Sequence, residues 1–213
     1  MKSSIFKIFA ISFLISTAYA EDENKNSIYV KVGQAATDLN INIDSASTYT
    51  QKTGDDGGLI TIGFQIAESL SLEASLLESI EATLTPTQRI TAGSFHGKTL
   101  VINRNTTITA ETDNTFMVGA AYNAKLSDNF NLLARAGATL WDVDYSVDGA
   151  VNYGSAYYDN YSTILSNNGL DPYYGIGLEL LLTENLGLDF NYFETEIDDE
   201  SLTSTAVSAV IKF

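Results

Sequence analysis

Residues 122–137 read YNAKLSDNFNLLARAG, and the fold turns on which side each of those residues takes. Counted two at a time, Phe130, Leu132, Ala134 and Ala136 form one set, and Asn131, Leu133, Arg135 and Gly137 the other. In a strand the two sets face opposite sides of a sheet. Before them, Tyr122 and Ala124 lead into Ser127-Asp128-Asn129, a polar stretch short enough to turn a hairpin. One side of this unit is apolar and uncharged, whereas the other holds an arginine and a glycine.

The same two-sided pattern recurs in eight segments, near 28–35, 59–67, 70–79, 115–124, 130–141, 173–182, 186–193 and 202–213. Each is close to the roughly 9 to 11 residues that a tilted strand needs to cross a bilayer, and the number of strands is even. None shows a helical period along its whole length. Glu68-Ser69, Ser127-Asp128-Asn129 and Thr183-Glu184-Asn185 are short links, whereas those near 36–58, 80–114 and 142–172 are long. A fourth outer link, Glu194 to Ser201, is short and acidic. Short turns on one rim and long loops on the other are the asymmetry of an outer-membrane barrel.

The content of the faces separates membrane from water. One face gathers Val30, Ile62, Leu72, Val118, Leu132, Ile176, Phe190 and Ile211 without a charge. The other carries Lys31, Glu73, Arg135, Glu179, Asp189 and Lys212 among glycines and small polar residues. An eight-stranded barrel is narrow inside, so small and polar residues belong in the lumen and the apolar set must face lipid. A soluble lipocalin-like barrel would reverse the faces, needing an apolar interior and a wet exterior. Leu133, Met117, Phe193 and Val210 interrupt the inward polarity and read as packing residues of the lumen.

Both ends of the chain fit this reading. Residues 1–20 place Lys2 and Lys7 before an apolar run from Ile8 to Ile15, then Ala18-Tyr19-Ala20 of the small-x-small type, the pattern of a cleaved secretory signal. Cleavage leaves residues 21–213, which are 193 residues with a formal charge of about −18, as one barrel domain. At the other end STAVSAVIKF, Ser204 to Phe213, alternates up to the last residue, as expected of a strand that pairs with the first strand and closes the wall. Phe213 and the N-terminus are then expected at the periplasmic interface, where aromatic residues gather. Strong negative charge makes nucleic acid an unsuitable partner, and no cysteine is present to staple the fold.

With these features the chain resembles the small outer-membrane barrel proteins of the OmpA and OmpX type, within the outer-membrane beta-barrel or porin-family group. The likeness rests on the signal, the eight alternating strands, YNAKLSDNFNLLARAG and the terminal AVSAVIKF. It implies an eight-stranded antiparallel up-and-down transmembrane barrel, at home among outer-membrane lipid and lipopolysaccharide and working as a monomer. It also implies recognition of the last strand by the barrel-assembly machinery, which falls on Val207, Ala209, Ile211 and Phe213. This sequence has Ile211 where the family often has a large aromatic, and, unlike full-length OmpA proteins, it is expected to carry no peptidoglycan-binding domain after the barrel.

Three groups of residues are candidates for function. The inward charges Lys31, Glu73, Arg135, Glu179, Asp189 and Lys212 balance in sign, so a paired lumen network is the favoured expectation and a narrow cation-favouring porin the alternative. Tyr145, Tyr153, Tyr157, Tyr158 and Tyr161, amid Ser, Gly, Asn and Asp, have the composition of an adaptable recognition surface for an unidentified extracellular ligand. The acidic runs Asp142, Asp144, Asp148 and Asp198, Asp199, Glu200 do not have the spacing of a calcium loop, and a solvated surface is expected. Lone His96, beside Ser94, is expected to be an exposed loop residue; no enzymatic activity, cofactor or metal is expected. A structural and surface-interaction role in the outer membrane is the reading that follows.

Overall fold

The computed structural model describes residues 28–41, 49–87, 90–103, 106–159 and 161–213. The expected signal segment, the acidic Asp44 between the first two wall strands, and Asn105 and Asn160, each of which begins an Asn-x-Ser/Thr triplet expected to be a chance match in a Gram-negative host, lie outside the described residues. In chain order the strands are β1 (Ile28–Asn40), β2 (Tyr49–Lys52), β3 (Gly54–Ala67), β4 (Leu70–Leu77) and β5 (Glu81–Pro86). They continue with β6 (Ile90–Phe95), β7 (Lys98–Ile102), β8 (Thr107–Thr112), β9 (Thr115–Lys125) and β10 (Phe130–Asp148). The remainder are β11 (Ala150–Tyr153), β12 (Ala156–Asp159), β13 (Ser162–Leu181), β14 (Leu186–Ile197) and β15 (Glu200–Lys212).

Eight of these make the wall, each antiparallel to its neighbours, in the order β1-β3-β4-β9-β10-β13-β14-β15. The last pairs with the first, from Lys212 opposite Tyr29 to Ser201 opposite Asn40, so the sheet closes and no edge faces lipid. Val32, Leu72, Phe116, Ile176, Phe190 and Ile211 all point outward and are exposed. An uncharged belt of this extent in water would be an aggregation surface, but against acyl chains it costs nothing.

Inside, large and small residues alternate to fit a narrow bore. Tyr29 lies opposite Gly63, Tyr173 opposite Gly137, Trp141 opposite Gly169 and Phe193 opposite Gly175. The rings of Tyr29, Tyr173 and Trp141 lean over the glycine of the neighbouring strand, a pairing that lets aromatics into a lumen of fixed diameter. A Cβ at Gly63 would stand 2.0 Å from Cζ of Tyr29, and one at Gly137 would stand 2.6 Å from Cε1 of Tyr173. Met117, Leu133, Phe193 and Val210 are all buried.

The long links differ from the solvated loops expected of them. β10 and β13 run far beyond the apolar belt, paired from Phe130 opposite Leu180 to Val147 opposite Ser162. On the upper part of β10 the sheet continues sideways through β8, β5 and β2, while β12-β11-β7-β6 forms a second, separate sheet. The physical reason is a short alternation inside the links: Ile80, Ala82 and Leu84, then Ile108 and Ala110, then Val143, Tyr145 and Val147 are all buried. Together with Leu39, Ile41, Phe95, Leu100, Ile102 and Val151 they form one apolar cluster continuous with Met117, Tyr173 and Phe193 in the lumen. The extracellular end of the barrel is therefore filled by a cap with its own core.

Two tight turns shape this cap. His96-Gly97 joins β6 to β7 with φ of 45° and 71°, and Asp198-Asp199 joins β14 to β15 with φ of 55° and 66°. Positive φ at both central positions is the primed geometry that matches the twist of a two-residue hairpin, and His and Asp are among the non-glycine residues that tolerate it.

Candidate functional site

β1, β4, β10 and β14 bring Lys31, Glu73, Arg135 and Asp189 to one level of the lumen. Lys31 Nζ lies 2.8 Å from Glu73 Oε1 and 2.8 Å from Asp189 Oδ2. Arg135 closes the circle, with Nε 2.9 Å from Glu73 Oε2 and Nη2 2.6 Å from Asp189 Oδ2. The result is a buried ring of alternating sign in which each charge touches two of the opposite kind. Tyr29 adds a hydroxyl that donates to Glu73 Oε1 at 2.7 Å. Glycines make room for it: a Cβ on Gly177 would stand 2.7 Å from Arg135 Nη1.

Glu179 faces Asp189 directly across the β13–β14 ladder, and like charges in that relation repel. The barrel separates them by giving each its own cation. Asp189 joins the ring, whereas Glu179 takes Lys212 Nζ at 2.8 Å and Asn131 Nδ2 at 2.9 Å nearer the short turns. Between these contacts the lumen holds a cavity of about 20 Å³ beside the ring and one of about 80 Å³ bordered by Gln65, Glu68, Glu179 and Lys212.

Above the ring, the β6–β7 turn reaches across the mouth to the β14–β15 turn. His96 Nε2 lies 3.5 Å from Asp198 Oδ2, at ion-pair distance but outside hydrogen-bond geometry. Its ring packs 4.2 Å from Phe95 and 5.3 Å from Tyr145, centroid to centroid. Asn167 holds the carboxylate from β13, its Nδ2 donating to both oxygens of Asp198 at 2.8 and 2.9 Å. Burial, and after it the negative charge of Asp198, Glu200 and Asp199, push the Tyr145 phenol above its ordinary range. Burial and then Asp198 raise Tyr153 as well.

On the outside of the cap the surface is anionic. Glu81 stands opposite Glu111, and Glu111 opposite Asp144, across β5, β8 and β10. Next to this row Glu111, Asp113, Asp142, Asp144, Ser166 and Asn168 border a cleft of about 400 Å³. Ser166 donates to Asp144 there. Among the described residues no three acidic, histidine or cysteine side chains converge so as to hold a metal ion.

A closed eight-stranded wall, an uncharged outer belt and a charged, filled lumen are the physical signature of one group of proteins, and the sequence matches it. Residues 8–213 fit the family described as outer membrane protein beta-barrel domain. This chain belongs to that family. Among solved structures it is similar to the Yersinia pestis attachment invasion locus protein Ail, crystallised with the heparin analogue sucrose octasulfate. That likeness has a TM-score of 0.54 and 12% identity, over 88% of this chain and 99% of that one. The outer membrane protein OprG of Pseudomonas aeruginosa is similar too, with a TM-score of 0.57 and 9% identity over 88% of this chain and 96% of that one. At such identities the likeness is one of fold. No curated protein matches the sequence.

In this outer-membrane barrel the tyrosines read from the third link divide. Tyr145 and Tyr153 are buried in the cap core, with Phe95 against both, and are closed to any extracellular partner. Their parity explains this: Arg135, Gly137, Thr139, Trp141, Val143 and Tyr145 lie on one face of β10, the inward one. Tyr157 and Tyr161 are 63% and 82% exposed, and Tyr158 is partly buried against the core. His96 is likewise not the exposed loop residue expected, since the Asp198 carboxylate and the Phe95 and Tyr145 rings enclose it. Val207, Ala209, Ile211 and Phe213 all face outward on the last strand, and the Phe213 N–H donates to the Ile28 carbonyl at 2.9 Å. Sequence reasoning missed Tyr29, Asn131 and Asn167, which complete the polar contacts; the inward parity of Tyr29 with Lys31 was the available signal.

Proposed function

We propose that this barrel is a structural and surface-presenting component of the outer membrane, without catalytic activity, in which the lumen is scaffold and the cap meets the environment. The observation that carries the reading is the filling of the bore at successive levels. The Glu179–Lys212 pair, the four-charge ring and the apolar cap follow one another among the described residues, with cavities of about 20 and 80 Å³ beside the ring and the Glu179–Lys212 pair. A conducting path needs a continuous wet passage, and buried ions paired this closely serve packing first.

Lipid and lipopolysaccharide surround the wall in this reading, and the barrel stands alone because its sheet closes on itself. Tyr157 and Tyr161 on an acidic cap are the surface offered to an extracellular ligand. The ligand chemistry differs from that of the Yersinia barrel: sucrose octasulfate is polyanionic, whereas this cap presents Glu81, Glu111, Asp142 and Asp144. A cationic partner fits better.

The test is planar-bilayer recording of refolded residues 21–213, with Arg135→Ala alongside. A silent bilayer from folded wild-type protein is the expected result. Discrete cation-selective steps that Arg135→Ala alters would replace this proposal with the narrow pore.

The last strand is proposed as the contact for the barrel-assembly machinery. Phe213→Ala should lower the amount of assembled, heat-modifiable barrel in cells several-fold, while the purified chain refolds in lipid as well as wild type. Equal loss in both settings would make Phe213 a stability residue instead.

A further inference from the structure

We propose that the four-charge ring is a binding site for one ordered water molecule, which bridges Arg135 to Asp189 in the small cavity beside them. This goes beyond the scaffold reading, with which a dry ring and a wet one agree equally.

Taken atom by atom, the ring is incomplete. Both oxygens of Glu73 are engaged, Oε1 by Tyr29 and Lys31 and Oε2 by Arg135 Nε. Asp189 accepts from Lys31 Nζ and Arg135 Nη2 on a single oxygen, Oδ2. One donor and one acceptor are left, Arg135 Nη1 and Asp189 Oδ1, both buried without a hydrogen-bond partner. The two residues are 8% and 0% exposed. Polar groups at that depth are costly to leave unpaired, and folded proteins pair nearly all of them, with ordered water where no side chain reaches.

Arg135 and Asp189 line the same cavity, of about 20 Å³. One water needs roughly 10–15 Å³ of such space, so the cavity takes one and not two. Its size alone does not make it wet, since apolar cavities stay dry. Here Thr61, Ser75 and Asn191 join the ring in lining it, while Leu59, Met117 and Phe193 close it toward the cap. The Thr61 and Ser75 hydroxyls share one hydrogen bond of 2.7 Å, which leaves the hydrogen of the accepting hydroxyl for a third contact to the water.

The two unpaired atoms select water over an ion. A cation would face the guanidinium and an anion the carboxylate, whereas water accepts from Nη1 and donates to Oδ1 at once. The ring stays neutral, and the guanidinium is held through all three of its nitrogens. A lysine at position 135 offers one nitrogen and cannot serve Glu73, Asp189 and the water from three directions.

A crystal structure of the refolded barrel grown in rubidium bromide reads the site directly. Density for a single water within hydrogen-bond distance of Nη1 and Oδ1, without anomalous signal, is the expected result. An anomalous peak would put an ion there instead. Ser208 is the rival partner, since it stands opposite Asp189 on β15 and its buried Oγ is also unpaired. A Ser208 hydroxyl turned onto Oδ1, a direct contact between Nη1 and Oδ1, or a cavity without density would each overturn the proposal.

Nuclear magnetic resonance of the barrel labelled with nitrogen-15 arginine gives a second reading. The chain has three arginines, Arg89, Arg104 and Arg135, and Arg135→Lys assigns the signals of the last by their loss. The Nη1 hydrogens of Arg135 should cross-relax with a long-lived water. Thr61→Val together with Ser75→Val turns the cavity apolar and fills it with methyl groups, and should abolish that cross-peak while the Arg135 Nε signal persists. Asn191→Leu fills the same space should the double variant fail to fold. A cross-peak that survives the filling of the cavity would show that the water is bound elsewhere, and the site would be lost with it.

Discussion

Glu73→Ala should cost the folded barrel about 3–5 kcal/mol, the range for breaking a buried ion pair from one side. Glu73 accepts from Lys31, Arg135 and the Tyr29 hydroxyl at 2.8, 2.9 and 2.7 Å. Its removal leaves two buried cations sharing the single Oδ2 of Asp189 and strands a phenol in the lumen. What is lost is not only the attraction but the compensation for burying the other charges. Urea titration of the refolded protein in vesicles measures this, with Trp141 as the only tryptophan and one held inside by its hydrogen bond to Asp171.

A companion variant decides what the ring is for. Lys31→Met, Glu73→Leu, Arg135→Met and Asp189→Leu together remove every charge while keeping the volume, and should recover most of the stability that Glu73→Ala loses. If Glu73→Ala changes stability by less than about 1 kcal/mol, water must be solvating the ring, and the scaffold reading of the lumen fails with it. If the fourfold variant is no better than Glu73→Ala, the ring contributes shape or register that apolar residues cannot replace.

Phe95→Ala is the second large effect, and it should appear in the cap without the wall. Phe95 is 1% exposed and packs edge-on at 5.0 Å from Tyr145 and 6.2 Å from Tyr153. Truncating such a ring costs about 3–5 kcal/mol through lost burial and the cavity left behind. Because no ladder joins the β12-β11-β7-β6 sheet to the wall among the described residues, that cost falls on the packing of this sheet against the cap core, a local opening rather than a global one. Protease added outside vesicles should cut the second sheet many-fold faster, while the Trp141 urea midpoint stays near wild type. A midpoint that falls in step with the cleavage rate would show instead that cap and wall unfold as one unit.

The two residues respond so differently because they stand on different kinds of support. Glu73 sits on β4, paired on both sides within a closed wall. Phe95 sits at the end of β6, whose only ladder partner among the described residues is β7. Strands inside a closed barrel exchange their hydrogen bonds for nothing in lipid, so the wall is held by cost as well as by attraction. Strands above the membrane can trade theirs for water.

Much of this was legible in the sequence, and the misses have a common cause. Parity placed Lys31, Glu73, Arg135, Glu179, Asp189 and Lys212 on the inner face, and Leu133, Met117, Phe193 and Val210 in the lumen packing. The same parity, carried on along β10, puts Trp141, Val143 and Tyr145 inward as well. Beyond Trp141 that parity is masked, because the apolar outer belt ends at Leu140 and Asp142 and Asp144 begin. A strand that leaves lipid changes the chemistry of its outer face, but not its period. The short alternations at Ile80–Leu84, Leu100–Ile102 and Ile108–Ala110 were weaker signals still, since two or three apolar residues in step suit many structures.

By itself, then, the sequence determined the barrel, its eight wall strands and the side that meets lipid. Side-chain direction in a strand is set by covalent geometry, so an apolar set and a charged set in alternation leave one arrangement that is stable in a membrane. Only the tertiary structure decided that Lys31 and Arg135 meet Glu73 and Asp189 while Lys212 goes to Glu179, because those contacts depend on the stagger of strands around the closed wall. It alone decided that Tyr145 and Tyr153 are core and that His96 reaches Asp198, residues separated by half the chain. Such meetings follow from closure of the sheet, which brings together surfaces that no local pattern connects.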